Sequence, residues 1–161
     1  MTLAHRPVPS PIGLLHVTAD DESVVAVWFA GQEPTGEPSD TAHPVLDAAE
    51  QQLAEYFAGT RTEFDLTLAP AGTAFQQAAW LALRTIPYGR TVSYGEQAAR
   101  LGDPNKARAV GAANGKNPIP IVVPCHRVIG SAGQLTGFGG GLDTKAWLLE
   151  HEQRVLGERL F

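Results

Sequence analysis

The sequence predicts two small domains of different class, an α/β unit over residues 1–70 and a mainly α unit over residues 71–161 that carries a helix-turn-helix. Three observations predict this. Strand-like alternation of apolar residues occurs in the first part, whereas the second is dominated by helical spacing opened by capping signals. Pro70-Ala71-Gly72 interrupts the pattern between them. The charge divides as well. Residues 1–72 hold Arg6 and Arg61 against eleven acids, net −9, while residues 84–127 hold seven Lys and Arg against two acids, net +5.

In the first unit, residues 11–30 read as a hairpin. Ile12, Leu14 and His16 alternate with Gly13, Leu15 and Val17, Asp20 to Ser23 make the turn, and Val24 to Phe29 return. Residues 31–43 are rich in Gly and Pro and read as a loop. Pro44 suits a first helical position. From there Val45, Leu46, Ala49, Leu53, Tyr56 and Phe57 recur at helical spacing until Gly59. Phe64, Leu66 and Leu68 alternate as a third strand. No catalytic constellation is visible in this unit.

The second unit opens with the capping box Thr73-Ala74-Phe75-Gln76, a hydroxyl at the cap and an amide three residues on. The helix it starts, over residues 74–85, should bury Phe75, Ala79, Trp80 and Leu83. A second capping box, Ser93-Tyr94-Gly95-Glu96, opens a short helix to Leu101. Asp103 and Pro104 then begin another over residues 105–113, which completes a helix-turn-helix pattern. That second helix sets Lys106 and Arg108 among Ala107, Ala109, Gly111, Ala112 and Ala113. Such a low surface with a long cation suits close approach to a narrow groove, and equally suits tight helix packing. A last helix, capped by Asp143, is expected to run through Arg154 and to turn Ala146, Trp147 and Leu149 to the core.

Chain-wide properties narrow the function. A hydrophobic content of 43% over 161 residues suffices for a core. The single cysteine, Cys125, excludes an internal disulfide and a multi-cysteine zinc cage and favours a reducing compartment. There is no signal-peptide pattern and no run of eighteen apolar residues, so we expect a soluble, cytoplasmic protein without a membrane span. The basic stretch points to a polyanionic partner despite the overall charge of −5.

The chemistry centres on Cys125. It follows the apolar run of residues 119–123, which reads as a buried strand, and precedes His126 and the glycine-rich residues 137–141. A buried, inert thiol is the commoner fate of a free cysteine. A nucleophile needs a base or a cation nearby, because a free thiol titrates near about 8.5. Adjacent side chains do not share a face, so direct contact between His126 and Cys125 is not assured, and an intervening water is a reasonable bridge. Glu150 or Glu152 on the last helix could orient the imidazole. Neither caspase nor papain-type patterns surround Cys125. The second cysteine and H-x-E of zinc deaminases are missing.

These residues resemble a known family, the alkylguanine-DNA alkyltransferases, or methylated-DNA–protein-cysteine methyltransferases. The resemblance runs from Phe75 to Glu152. It rests on Ile86-Pro87-Tyr88-Gly89, Ser93-Tyr94-Gly95, Ala107-Arg108-Ala109-Val110-Gly111 and Asn117-Pro118. It rests above all on Pro124-Cys125-His126-Arg127-Val128-Ile129, followed by Gly140-Gly141-Leu142, Lys145 and the stretch from Trp147 to Glu152. The first unit matches only in its order of elements.

The resemblance implies a ribonuclease H-like first domain and a winged-helix-like second one. It implies a monomer, open to cooperative assembly, that binds double-stranded DNA in the minor groove. The protein would flip O6-alkylguanine, and also O4-alkylthymine, into a pocket and transfer the alkyl group irreversibly to Cys125, with no cofactor and no metal. His126 would be the base through a water, Glu152 its orienting group, Tyr94 the donor to the leaving guanine and Asn117 a brace. Arg108 would replace the flipped nucleotide. Ser93, Tyr94, Lys106, Ala109, Gly111 and Lys116 would share the DNA-facing surface. Val128, Phe138 and Gly139 would line the base pocket.

Two departures stand out. Some members hold zinc through Cys and His of the first domain, which this chain cannot do in Cys form. Some carry Tyr and Ser where this chain has Phe138 and Gly139. A different class of function on the same framework, a non-catalytic lesion-binding or regulatory protein, is the alternative, with a thiol redox sensor as a third reading.

Overall fold

The computed structural model describes residues 2–39 and 41–159. The chain forms two compact units that divide between Ala71 and Gly72.

The first unit is a three-stranded antiparallel sheet of β1 (Ala4–Val8), β2 (Leu15–Ala19) and β3 (Val24–Trp28), in the order β1-β2-β3, with helix α1 (Pro44–Ala58) packed on it. Register runs from Ala4 opposite Ala19 to Val8 opposite Leu15, and from His16 opposite Trp28 to Ala19 opposite Val24, with a bulge at Thr18 and Ala19. Leu15, Val17 and Ala19 are buried, as are Leu46, Ala49, Leu53 and Tyr56 of α1. The turn forms because Asp20 Oδ1 accepts from the backbone N–H of Glu22 and Ser23. Pro44 is the first helical residue, and Gly59 ends α1 at φ 81°, where a Cβ would be costly.

Two expectations are corrected here. The hairpin begins at Leu15, and Leu14 is exposed. Residues 64–68 form no strand. They meet β3 only at Leu68 opposite Val24, while Gln52 holds Asp65 by donating to its carbonyl and accepting from its N–H. The third strand is β1, whose Pro7 is tolerated because β1 lies at the sheet edge.

The second unit begins with α2 (Ala74–Leu83), then β4 (Val92–Ser93), α3 (Tyr94–Arg100), a 3-10 turn (Pro104–Lys106) and α4 (Ala107–Gly115). Both capping boxes form. Thr73 accepts from the N–H of Gln76, Ser93 accepts from that of Glu96, and each N3 side chain returns the bond. Asp103 caps the 3-10 turn by accepting from Asn105 N–H. Trp80, buried on α2, donates Nε1–H to the Ala113 carbonyl at 2.8 Å. Gln97 of α3 and Asn114 of α4 exchange two amide hydrogen bonds of 3.1 and 2.8 Å inside the core. These bonds lock the helix pair to α2. A second 3-10 turn (Cys125–Arg127) leads into β5 (Val128–Ile129), which pairs in parallel with β4, and α5 (Leu142–Arg159) closes the unit.

Four readings change in this unit. Residues 119–123 form tight turns rather than a strand. Phe75 is half-buried, with the Lys106 ammonium 5.7 Å from its ring centre. Asp143 lies in the first turn of α5 rather than before it. The buried face of α5 is Lys145, Leu148, His151, Glu152 and Val155, while Ala146, Trp147 and Leu149 are half-buried.

Candidate active site

Cys125 is placed by a strained run of turns. Ile121 has φ 73°, a conformation a β-branched residue rarely adopts, and Val122 N–H donates across it to the Pro120 carbonyl at 2.9 Å. Pro124, at φ −82° and ψ 65°, makes an inverse turn closed by Cys125 N–H donating to the Val123 carbonyl at 2.8 Å. Asn117 spans this run. Its Oδ1 accepts from Ile119 N–H at 3.0 Å and its Nδ2 donates to the Val123 carbonyl at 2.9 Å. Asn117 therefore joins the end of α4 to the residues just before the thiol.

The thiol of Cys125 is buried. Burial pushes its pKa up, against a hydrogen bond from Asn117 and the charge of Lys145, which pull it down. The resting sulfur is a protonated thiol and needs a base.

His126 is fully buried, and its Nε2 lies 2.7 Å from Glu152 Oε2. A carboxylate only accepts, so Nε2 carries the proton and Nδ1 presents a lone pair. That Nδ1 is buried without a hydrogen-bond partner among the described residues. Burial pushes the imidazole pKa below its ordinary value, against the raising effect of Glu152. A neutral imidazole with a bare Nδ1 is set up to accept a proton.

Glu152 is the hub. It accepts from His126, from Gly89 N–H at 3.0 Å, and from Arg127 through Nε at 3.0 Å and NH2 at 3.1 Å. Arg127 also donates to the Ile86 carbonyl at 2.8 Å. Burial alone would raise the Glu152 pKa, but the bonds and charges of His126 and Arg127 outweigh it and hold the carboxyl well below the usual carboxylate range. Glu150, the other candidate orienting group, is exposed.

A second cluster borders the first. Lys145, fully buried, donates Nζ–H to the carbonyls of Val128 at 2.6 Å and Thr136 at 2.9 Å. Tyr94, half-buried, donates its hydroxyl to the Thr136 carbonyl at 3.2 Å, and its ring centre lies 5.8 Å from Lys145 Nζ. Gly111 of α4 packs under the same ring, where a Cβ would sit 3.6 Å away. Phe138 is half-buried. Gly139 is exposed, with space around its missing side chain.

On the helix pair, Arg108, Ala109, Lys106 and Lys116 are exposed, while the Ser93 hydroxyl is spent on capping α3. The structure thus brings Cys125, His126, Glu152 and Asn117 into one buried cluster, and Tyr94 and Val128 into the neighbouring one. Arg127, Lys145 and Gly89 entered the sequence reading only as parts of matching motifs with no role assigned, and Thr136 did not enter it. The first two had a signal: long cations within apolar stretches must be paired if they are buried. Among the described residues no group of three or more His, Cys, Asp or Glu could hold a metal ion.

Comparison with known proteins gives two family models that divide the chain between them. Residues 4–70 match the ribonuclease-like domain, and residues 74–154 the DNA binding domain, of 6-O-methylguanine DNA methyltransferase. A methylated-DNA–protein-cysteine methyltransferase of Mycolicibacterium paratuberculosis is 53% identical, over 94% of this chain and 93% of its own length. Its Methanosarcina acetivorans counterpart is 47% identical, over 89% and 94%. The crystal structure of Mycobacterium tuberculosis OGT in complex with DNA superimposes with a TM-score of 0.84 at 49% identity, covering 94% of both chains. This chain belongs to the family of 6-O-methylguanine DNA methyltransferases.

Proposed function

We propose that this protein repairs alkylated DNA by moving the alkyl group from O6 of guanine to the sulfur of Cys125, once per molecule. The observation that carries the reading is the buried Cys125–His126–Glu152 arrangement, with a bare imidazole nitrogen next in sequence to a protonated thiol. It stands in a chain about half identical, over nearly its whole length, to proteins named for this reaction.

The thiol proton passes to His126 Nδ1 through a bridging water. Glu152 fixes the imidazole tautomer and stabilises the imidazolium that forms. The thiolate attacks the alkyl carbon in line. The carbon–sulfur bond forms as the carbon–O6 bond breaks, and the electron pair stays on the guanine. Tyr94 gives its hydroxyl proton to the departing base. The Asn117 amide and the Lys145 charge both favour the thiolate over the thiol. The thioether is stable, so no step returns Cys125 to a thiol.

A flipped base is required because O6 is out of reach inside the stack. Exposed Arg108, Lys106 and Lys116 around the small residues of α4 form the DNA-facing surface, which enters the minor groove with Arg108 in place of the extruded nucleotide. O4-alkylthymine is a second substrate. The protein acts as a monomer in the cytoplasm, where reducing conditions preserve its thiol. The open space at Gly139 favours tolerance of larger alkyl groups.

The test is a titration of duplex DNA carrying a single O6-methylguanine. Repair should plateau at one lesion per protein molecule and vanish in Cys125→Ser. Retained lesion binding with no repair would instead make the protein a lesion-binding module.

A further inference from the structure

We propose that Thr136 is a positioning residue that acts through Tyr94. Its hydroxyl orients the Tyr94 phenol and stabilises the negative charge left on Tyr94 Oη when that proton goes to the departing base. The proposal rests on the reading of Tyr94 as the proton donor.

Thr136 contacts Tyr94 twice, in opposite senses. Its backbone carbonyl accepts the Tyr94 hydroxyl proton at 3.2 Å, and its own Oγ1–H donates to Tyr94 Oη at 3.1 Å. A phenol has one proton to give, so before reaction that proton stays on Tyr94 Oη and is directed at the Thr136 carbonyl. When Tyr94 turns the proton to the leaving base, the first bond is lost and the second stays. The surviving donor then faces an oxygen that is gaining negative charge, and such charge-assisted bonds are the stronger kind. The step balances. The Tyr94 O–H bond breaks, the proton neutralises the departing guanine, and the phenolate accepts from Thr136 until solvent reprotonates it.

Thr136 is itself held from below. Lys145, fully buried on α5, donates to the Thr136 carbonyl and to that of Val128, so this exposed loop residue has a fixed backbone. The cation also lies 5.8 Å from the Tyr94 ring centre. The charge that anchors Thr136 thus shares the Thr136 carbonyl with the phenol on which negative charge develops. An exposed threonine in a Gly-rich loop has no packing role to explain these bonds, and Thr136→Val keeps its shape while removing only the donor.

The experiment is a double-mutant cycle on single-turnover transfer from duplex O6-methylguanine DNA, using the full chain. Thr136→Val should slow transfer about tenfold to a hundredfold, as loss of one hydrogen bond to a charged oxygen implies. Thr136→Ser should restore it to within about threefold. In a Tyr94→Phe background, Thr136→Val should cause less than about a twofold further loss. Equal slowing by Thr136→Val in both backgrounds would overturn the proposal and leave the Tyr94 reading intact. Unchanged transfer by Tyr94→Phe alone would remove the donor role, and the proposal with it.

Discussion

Replacing Glu152 by Gln removes one charge from the centre of the buried cluster and turns one of two acceptor oxygens into a donor, at nearly constant shape. The carboxylate accepts hydrogen bonds from His126 and Gly89 and two from Arg127. An amide offers one oxygen, and turns its NH2 toward groups that are themselves donors. Arg127, nearly fully buried, loses its counter-charge in either orientation of the amide, and either it also loses one of its two bonds to residue 152 or His126 must change tautomer to accept from the amide. Breaking a buried ion pair by removing one partner costs about 3–5 kcal/mol. With a urea m-value of roughly 2 kcal/mol per M, the unfolding midpoint should fall by about 2 M. The second effect is chemical. An amide donating to Nε2 drives the imidazole proton onto Nδ1, so the base is lost and transfer should slow about 10²- to 10⁴-fold. Urea unfolding by circular dichroism, together with single-turnover transfer in the absence of urea, reads both effects. Glu150→Gln, on the exposed face of the same helix, is the control and should stay within about 0.5 kcal/mol. The two variants also differ with pH. Because the folded Glu152 pKa is depressed, its stabilisation is present above about pH 4.3, its unfolded value, and is lost as pH falls through the folded value. Glu150→Gln should keep that acid-dependent loss and Glu152→Gln should lack it. A Glu152→Gln protein as stable as its control, with an unchanged acid limb, would refute the role of the buried carboxylate.

Further predictions concern the base, the backbone and the DNA surface. Burial holds the His126 pKa below its ordinary value of about 6.5. The transfer rate should therefore fall on the acid side only below that pH, and a single-turnover pH profile falling already above pH 7 would contradict a neutral His126 base. Gly89 has φ 75°, its N–H donates to Glu152, and a Cβ there would collide with the Leu156 side chain. Gly89→Ala should cost about 1–3 kcal/mol in urea unfolding, whereas Gly102→Ala, at φ 101° in open space, should cost only about 1 kcal/mol of backbone strain. Arg108→Ala should slow repair in duplex DNA by tenfold or more while leaving reaction with the free alkylated base within twofold, and equal losses on both would sink its role in flipping.

The sequence made the second unit legible because its signals are local. Thr73 with Gln76 and Ser93 with Glu96 are capping boxes that need no tertiary context, and both form. The cysteine motif was equally plain. What the sequence hid was non-local or strained. Residues 119–123 are as apolar as a buried strand, yet Asn117 and the turns at Ile121 and Pro124 fold them back on themselves. Periodicity carries no sign of a β-branched residue at positive φ. On α5 the apolar residues suggested one buried face, but Lys145 and Glu152 are buried because their polar ends meet partners elsewhere in the unit, and the buried His151 ring stacks on Trp147 of its own helix. Helical spacing ranks residues by hydrophobicity and so passes over buried polar groups. Strand β1 was missed for the opposite reason, since an edge strand tolerates the Pro7 that argues against a central one.

The central claim is that Cys125 itself becomes the permanent acceptor. Intact-mass and peptide mass spectrometry, after incubation with methylated-guanine duplex, test it most directly. The account predicts a gain of one methyl group per chain, confined to the peptide containing Cys125, and no gain in Cys125→Ser. Repaired DNA with an unmodified protein, or a methyl group found on any other residue, would contradict it.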